Sequence, residues 1–243
     1  MLENDIAIPL YSQLKDRIIT AINNDELKYS EKIPTEIEIM EKYSVSRITV
    51  RRAIEELVEE GYLIKKQGKG TFVVKNKIER KLTYSYKNTQ PISFTKELEL
   101  NNIIPSAKVI ELKIIEPIEE YNKMLGISLN EKLIYMKRLR LANNIPTAIE
   151  INYFPYDTFK ELLNKNLSNS LYKILEEDFN VFPYKNLKLE LEVIKSNDEQ
   201  SKLLNIPISE PLFLFLGVTA DKNNIPIHIA KRYLIASKYK FSL

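Results

Sequence analysis

The sequence predicts an α+β fold in two parts. A small N-terminal unit of three helices is closed by a β-hairpin, and a larger antiparallel sheet with flanking helices follows. Three observations carry this expectation. Apolar residues recur at helical spacing through the first sixty residues, two short β-rich runs then flank a Gly- and Lys-rich turn, and the segment from about residue 109 onward repeats itself once. At 243 residues the chain is long enough for two domains, and with 44% hydrophobic residues it has core material for both.

Composition removes whole classes of chemistry. There is no cysteine, which excludes disulfides, thiolate zinc sites and Cys nucleophiles. One histidine, His228, rules out His-rich metal sites, and five glycines form no G-x-G-x-x-G or G-x-x-x-x-G-K loop. No metal and no cofactor is expected, and the chain reads as a non-enzyme. No apolar run approaches the ~20 residues that span a bilayer, and Met1–Leu10 lacks a basic start and signal core, so a cytoplasmic protein without membrane association is expected. The net charge is only +3, but residues 42–75 carry eight basic side chains against four acidic ones, whereas residues 1–41 carry four against nine. Nucleic-acid binding needs such a local stripe; a solvated helix face gives the same count.

The first helix is predicted over residues 9–24, opened by Pro9 and carrying Leu10, Leu14, Ile18 and Ile22 on one face. Thr35 and Glu38 have capping-box spacing and start a second helix, to about Lys42, with Ile37, Ile39 and Met40 as its apolar contacts. After Tyr43-Ser44-Val45, Ser46 caps a third helix with Val50, Ala53, Ile54, Leu57 and Val58 inward, stopping at Gly61. Two short helices with a tight joint form a helix-turn-helix pattern. Tyr62–Ile64 and Thr71–Val74 read as strands around Lys65-Lys66-Gln67-Gly68-Lys69-Gly70, a wing suited to a phosphate backbone. Arg47 and Arg51 stand one turn apart near the start of the third helix, the end that enters a major groove, where arginine donates two bonds to guanine. Arg52 and Ile48 lie opposite the core face, where phosphate or solvent would meet Arg52.

From Pro9 to Val73 the chain resembles the winged helix of GntR-type bacterial regulators, most densely in Pro34-Thr35-Glu36, Val45-Ser46-Arg47-Ile48-Thr49-Val50-Arg51-Arg52-Ala53-Ile54 and Gly68-Lys69-Gly70-Thr71-Phe72-Val73. The resemblance implies DNA contact through Ser46, Arg47, Thr49 and Arg51, with Gly68 and its neighbours reaching the minor groove. Thr35, Arg52, Gln67, Lys69 and Gly70 complete the candidate set. Where many members have an arginine, this chain has Ile37.

These motifs bound a winged helix-turn-helix domain at residues 1–75, a polar linker at 76–91 with a short strand expected at Lys81–Tyr86, and a second domain at 92–243. In the second domain, Leu125–Met136 matches Leu204–Phe215 at an offset of 79, and Asn143–Pro146 matches Asn223–Pro226 at 80. Each copy reads as strand, helix, strand, tight turn and strand: Val109–Glu116, Ile118–Leu125, Leu133–Leu141 and Pro146–Phe154 in the first. Two copies make one pseudo-symmetric antiparallel sheet. Shared residues are mostly apolar, so residues that break the match are site candidates. Arg138 and Arg140 answer to Gly217 and Thr219, and Glu150 to Ala230. Ile134, Met136, Arg138 and Arg140 share one strand face. Two guanidinium groups on a covered face want an anion: phosphate or carboxylate from a ligand, or Glu150 and other carboxylates as structure. Ser93-Phe94-Thr95 and Ser168-Asn169-Ser170 precede helices whose starts offer further donors.

Residues 92–243 resemble the UTRA ligand-binding domain of the HutC-type GntR branch, related in fold to chorismate lyase. The resemblance rests on Ser93-Phe94-Thr95, Arg138-Leu139-Arg140-Leu141-Ala142, Ile145-Pro146 with Glu150, and Ser170-Leu171-Tyr172. In sugar-phosphate-sensing members the positions of Phe94, Thr95, Arg138, Arg140, Ser170 and Tyr172 bind phosphate and that of Glu150 contacts the sugar. Ser93 and His228 join this effector set. The chain departs from the pattern at residues 233–239, where Leu234 replaces a ligand-contacting tyrosine. The expectation is a ligand-responsive repressor of a catabolic or transport operon. It binds near-palindromic double-stranded operator DNA as a homodimer and is released by a small anionic effector, a sugar phosphate. A carboxylate effector (a urocanate-like or fatty acid) and a lyase-like enzyme are the alternatives.

Overall fold

Pro9 stands at the N-cap of α1 (Leu10–Asn23), which turns Leu14, Ile18 and Ile22 into the core of the first unit. The computed structural model describes residues 8–24, 26–74, 78–81 and 91–242. Its contacts divide the chain into two compact units, Met1–Asn76 and Lys77–Leu243. Among the described residues no helix is long and apolar enough to cross a membrane.

In the first unit, α2 (Glu36–Tyr43) opens with the full capping box: the Thr35 hydroxyl accepts from the Glu38 amide, and the Glu38 carboxylate accepts from the Thr35 amide at 2.6 Å. Ser44 ends it in the left-handed region at φ 54°. Buried Val45 and the cap residue Ser46, whose Oγ accepts from the Thr49 amide at 3.2 Å, lead into α3 (Arg47–Glu59). Strands β1 (Leu63–Lys66) and β2 (Gly70–Val73) pair antiparallel, Leu63 opposite Val73 and Lys66 opposite Gly70. Ile33, Ile39, Val50, Ala53, Ile54, Leu57, Leu63 and Val73 close the core around α1. Ile37 does not join them: it is 65% exposed. Two residues from Ile39, it sits about 200° around the helix, so only one of the two can face inward.

The second unit contains, in order, β3 (Ile78–Lys81), α4 (Phe94–Leu100), β4 (Pro105–Ile115), α5 (Glu119–Leu125), β5 (Leu133–Ala142), β6 (Ile145–Pro155), the single turn α6 (Tyr156–Phe159), α7 (Leu171–Phe179), β7 (Lys185–Lys195), α8 (Asp198–Leu204), β8 (Pro211–Ala220), β9 (Pro226–Ile235) and β10 (Tyr239–Ser242). Six strands form one antiparallel sheet in the order β4-β5-β6-β9-β8-β7. The repeat is visible in that order. Each copy is a three-stranded meander with its helix after the first strand, and the copies join at β6 and β9, where Asn152 lies opposite Ala230. Their hairpins differ. Asn143 and Asn144, both at positive φ, make a two-residue turn between β5 and β6. In the second copy the Asp221 carboxylate instead accepts from the amides of Asn223 and Ile225 at 2.8 Å, holding a longer loop.

The linker segment contributes a strand, but not where it was expected. Ile78–Lys81 pairs in parallel with β10, Ile78 opposite Tyr239. It lies earlier than the predicted strand at Lys81–Tyr86, whose residues after Lys81 fall outside the described ones. Both sheet faces are covered. Helices α5 and α8 bring Tyr121, Leu125 and Leu204 against one face. On the other, α4 and α7 bring Phe94, Leu98, Leu171, Tyr172 and Leu175. Arg138 and Arg140 of β5, Glu150 of β6 and Arg232 of β9 lie on this second face, whereas Lys137 and Lys231 lie on the first, against Glu199 of α8 and Tyr121 of α5.

Candidate nucleic-acid interface and anion pocket

In the first unit, Ser46, Arg47, Thr49 and Arg51 stand together at the start of α3. Ser46 Oγ and Thr49 Oγ1 are 2.9 Å apart. Arg47 and Arg51, 72% and 62% exposed in their side chains, are held only loosely, by Glu36 at 3.4 Å and Glu55 at 3.8 Å. Both guanidinium groups are therefore free to exchange a solvated ion pair for a stronger acceptor. Arg52 is more engaged. Its Nε is 3.2 Å from Glu56 and its guanidinium lies 3.7 Å from the centre of the Tyr11 ring, which ties α3 to α1. The Thr35 hydroxyl is occupied by the capping box.

The wing tip, Gln67-Gly68-Lys69, is exposed. Gly68 (φ 70°) and Gly70 (φ 116°) take conformations that a side chain resists, and a Cβ on Gly70 would come within 2.5 Å of Lys32 Cε. The Lys66 ammonium lies 4.9 Å from the Phe72 ring centre, packed along the hairpin.

In the second unit the register builds a charged row across the sheet: Arg138 on β5 lies opposite Glu150 on β6, which lies opposite Arg232 on β9. Arg140 is two residues further along β5, on the same face. All four side chains are buried. Arg138 donates from Nη2 to Glu150 Oε2, and from Nη1 to the carbonyls of Leu167 (3.1 Å) and Asn169 (3.2 Å). Arg232 Nε is 3.3 Å from Glu150 Oε1, and Arg140 Nη1 is 3.9 Å from Glu150 Oε2. Arg140 Nη2 donates to Thr95 Oγ1 at 3.1 Å, while its plane rests 4.6 Å from the Phe94 ring centre. Its Nε and Nη1 have no hydrogen-bond partner among the described residues.

Electrostatics match this crowding. Burial alone would raise the Glu150 carboxyl, but Arg138, Arg140 and Arg232 outweigh it and hold it well below the usual carboxylate range. Burial pulls Arg140 down to about 10, with Glu150 offsetting part of the cost and the other two arginines adding to it. Three buried guanidinium groups thus act on Glu150, and the buried Glu97 of α4 also acts on Arg232. Among the described residues, two carboxylates against three guanidinium groups leave one positive charge unbalanced.

A cleft of about 30 Å³ opens beside this row, lined by Arg232, Tyr172, Thr219, Asn186, Pro91 and Ile92 among others. Tyr172 OH has no hydrogen-bond partner among the described residues, and neither do the side-chain atoms of Asn152. His228 is fully buried, stacked on Phe154 at 5.0 Å and edge-on to Tyr172 at 6.1 Å. Neither ring nitrogen makes a well-formed hydrogen bond among the described residues.

The two predicted serines behave differently. Ser93 Oγ caps α4 by accepting from the Lys96 amide at 3.1 Å. Ser170 occupies the cap position of α7, but its side chain makes no capping bond.

Comparison with known proteins accounts for both units. Residues 10–73 match the family model for bacterial regulatory proteins of the gntR family, and residues 101–240 match the UTRA domain. Over 96% of the chain it is 32% identical to the HTH-type transcriptional repressor NagR of Bacillus subtilis, covering 93% of that protein. The chain belongs to the GntR family. It is a DNA-binding transcriptional regulator and not an enzyme. A probable fructoselysine utilization operon transcriptional repressor of Escherichia coli is 29% identical over 96% of this regulator and 93% of its own length. The crystal structure of PhnF from Mycobacterium smegmatis shares the fold, with a TM-score of 0.64 at 19% identity, covering 96% of each chain.

Sequence reasoning missed Arg232, Asn152 and Glu97. The internal repeat held the signal for the first two: at the offset of 80, Asn152 answers to Arg232, a break in the match as sharp as that of Glu150 and Ala230.

Proposed function

We propose that this regulator represses a catabolic or transport operon and is released from its operator by a small phosphorylated sugar bound in the arginine pocket of the second unit. The observation that carries this reading is Arg140: buried, charged, beside Thr95 Oγ1, with two donors unpartnered in a cluster that has one positive charge too many. An anion neutralises that charge and occupies those donors. Arg138 spends its terminal nitrogens on Glu150 and two carbonyls, so it orients the cluster; Tyr172 and Arg232 line the cleft, and Arg140, Thr95 and Ser170 complete the proposed set of ligand contacts. Repression, and the sugar character of the effector, are supported by relatives that are themselves repressors, one of a fructoselysine operon.

The cleft has room for one or two water molecules. A phosphorylated sugar enters by parting its walls, and Pro91 and Ile92, outside any helix or strand, form the wall with the fewest backbone bonds to lose. DNA-competent protein is a homodimer placing two winged helices on the half-sites of a near-palindromic operator. Effector and operator then compete through a coupling of ~1–3 kcal/mol.

The test is a thermal-shift panel pairing phosphorylated sugars with their unphosphorylated parents. A ligand at 100 times its Kd adds ~2.7 kcal/mol, roughly 5–10 °C in melting temperature. The reading requires a shift with a phosphorylated member alone, lost in Arg140→Ala. Shifts produced only by carboxylic acids would overturn the sugar-phosphate assignment.

A further inference from the structure

Ile48 is 82% exposed, more than any other large hydrophobic side chain among the described residues, and within the first unit Ile37 follows at 65%. Neither contributes to the core, and a β-branched residue is not favoured at a solvated helix position. Their placement is specific. Ile48 is the second residue of α3 and Ile37 the second residue of α2. The Arg47–Glu36 ion pair, at 3.4 Å, joins the first turns of these two helices, so each isoleucine follows one member of that pair. The resulting surface mixes two bare aliphatic side chains with the exposed guanidinium groups of Arg47 and Arg51 and the hydroxyls of Ser46 and Thr49.

A protein partner is a poor match, because apolar contact there would also desolvate the flanking arginines. The edge of a DNA base pair in the major groove suits both halves. Guanine offers acceptors to arginine, and thymine offers its C5-methyl group, the one apolar feature of the groove. We propose that Ile48 and Ile37 read thymine methyl groups, so that this regulator's operator carries thymines next to the bases its arginines contact.

The test begins by selecting high-affinity duplexes from a random-sequence pool with the full chain. Thymines in the selected duplex are then replaced one at a time by deoxyuridine, which removes the methyl and keeps the base pair. The proposal expects one or two positions at which uracil weakens wild-type binding about three- to fivefold, the loss that follows from exposing one methyl. Ile48→Ala should bind the thymine duplex as weakly as wild type binds the uracil one and be indifferent to the replacement at its position. Ile37→Ala should do the same at a second position. Arg51→Ala should bind more weakly yet keep the uracil penalty. Both isoleucines are exposed, so unchanged melting temperatures separate recognition from folding. Equal wild-type affinity for thymine and uracil duplexes overturns the proposal. So does a uracil penalty that survives in both alanine variants, or a variant that changes the oligomeric state and leaves the penalty untouched.

Discussion

His228 gives the second unit a pH dependence whose size follows from its surroundings. The ring is fully buried, and burial, aided by Arg232, brings its pKa from 6.5 down to about 4, against smaller opposing effects of Glu150 and the Ile229 backbone. The unfolded chain takes up a proton below 6.5 that the folded chain refuses until about 4. Stability is therefore complete above pH 6.5 and is lost as the pH falls toward 4. At roughly 1.4 kcal/mol per pH unit, the full loss is about 3 kcal/mol, of which about 2 kcal/mol is reached by pH 5. Glu150, held below the usual carboxylate range, loses its own contribution only below its unfolded value of 4.5, so the interval from 6.5 to 5 reports on His228. Urea unfolding of wild type and His228→Phe at pH 7.5, 6 and 5 measures the effect, since phenylalanine retains the stack on Phe154. The wild type should lose about 2 kcal/mol that the variant keeps. Parallel pH profiles, or titration of the chain's single histidine near 6.5 by NMR, would refute the reasoning.

Other substitutions separate the two units. Arg51→Ala removes a weakly paired, exposed side chain, so melting should change by less than about 0.5 kcal/mol while operator affinity falls about 5- to 100-fold by gel shift. Glu150→Gln leaves three buried guanidinium groups with one fewer carboxylate and should cost about 3–5 kcal/mol. Millimolar phosphate should then raise its melting temperature more than the wild type's, and an unaltered melting curve would show that the arginines do not need the pair. Gly70→Ala drives a Cβ into Lys32 at φ 116° and should destabilise the first unit by about 1–3 kcal/mol. Gly68→Ala, with open space around it, should cost less.

The parts most legible in the sequence are those set by local chemistry or by repetition. Thr35 with Glu38 and Ser46 with Thr49 mark helix starts because orphan amides need acceptors within three residues, and both caps form as read. The duplication at offsets of 79 and 80 foretold the six-stranded sheet, because equal halves burying the same apolar faces pack side by side. What escaped depends on register. Arg138, Glu150 and Arg232 become neighbours only when three strands align, and the distance in sequence from Glu150 to Arg232 hides that. The pairing of Ile78–Lys81 with β10 is non-local in the same way. Helical spacing alone does not say whether Ile37 or Ile39 faces inward; the core around Ile39 decides it.

In the proposed function, an anion held by the buried arginines controls DNA binding by the first unit. Fluorescence anisotropy of the regulator on the DNA upstream of its own gene, titrated with the phosphorylated sugar that shifts its melting temperature, tests this directly. The sugar phosphate should weaken wild-type binding about 5- to 150-fold, its unphosphorylated parent should do nothing, and Arg140→Ala should bind the DNA normally but ignore the ligand. Release that persists in Arg140→Ala, or DNA binding unmoved by the bound ligand, would contradict it.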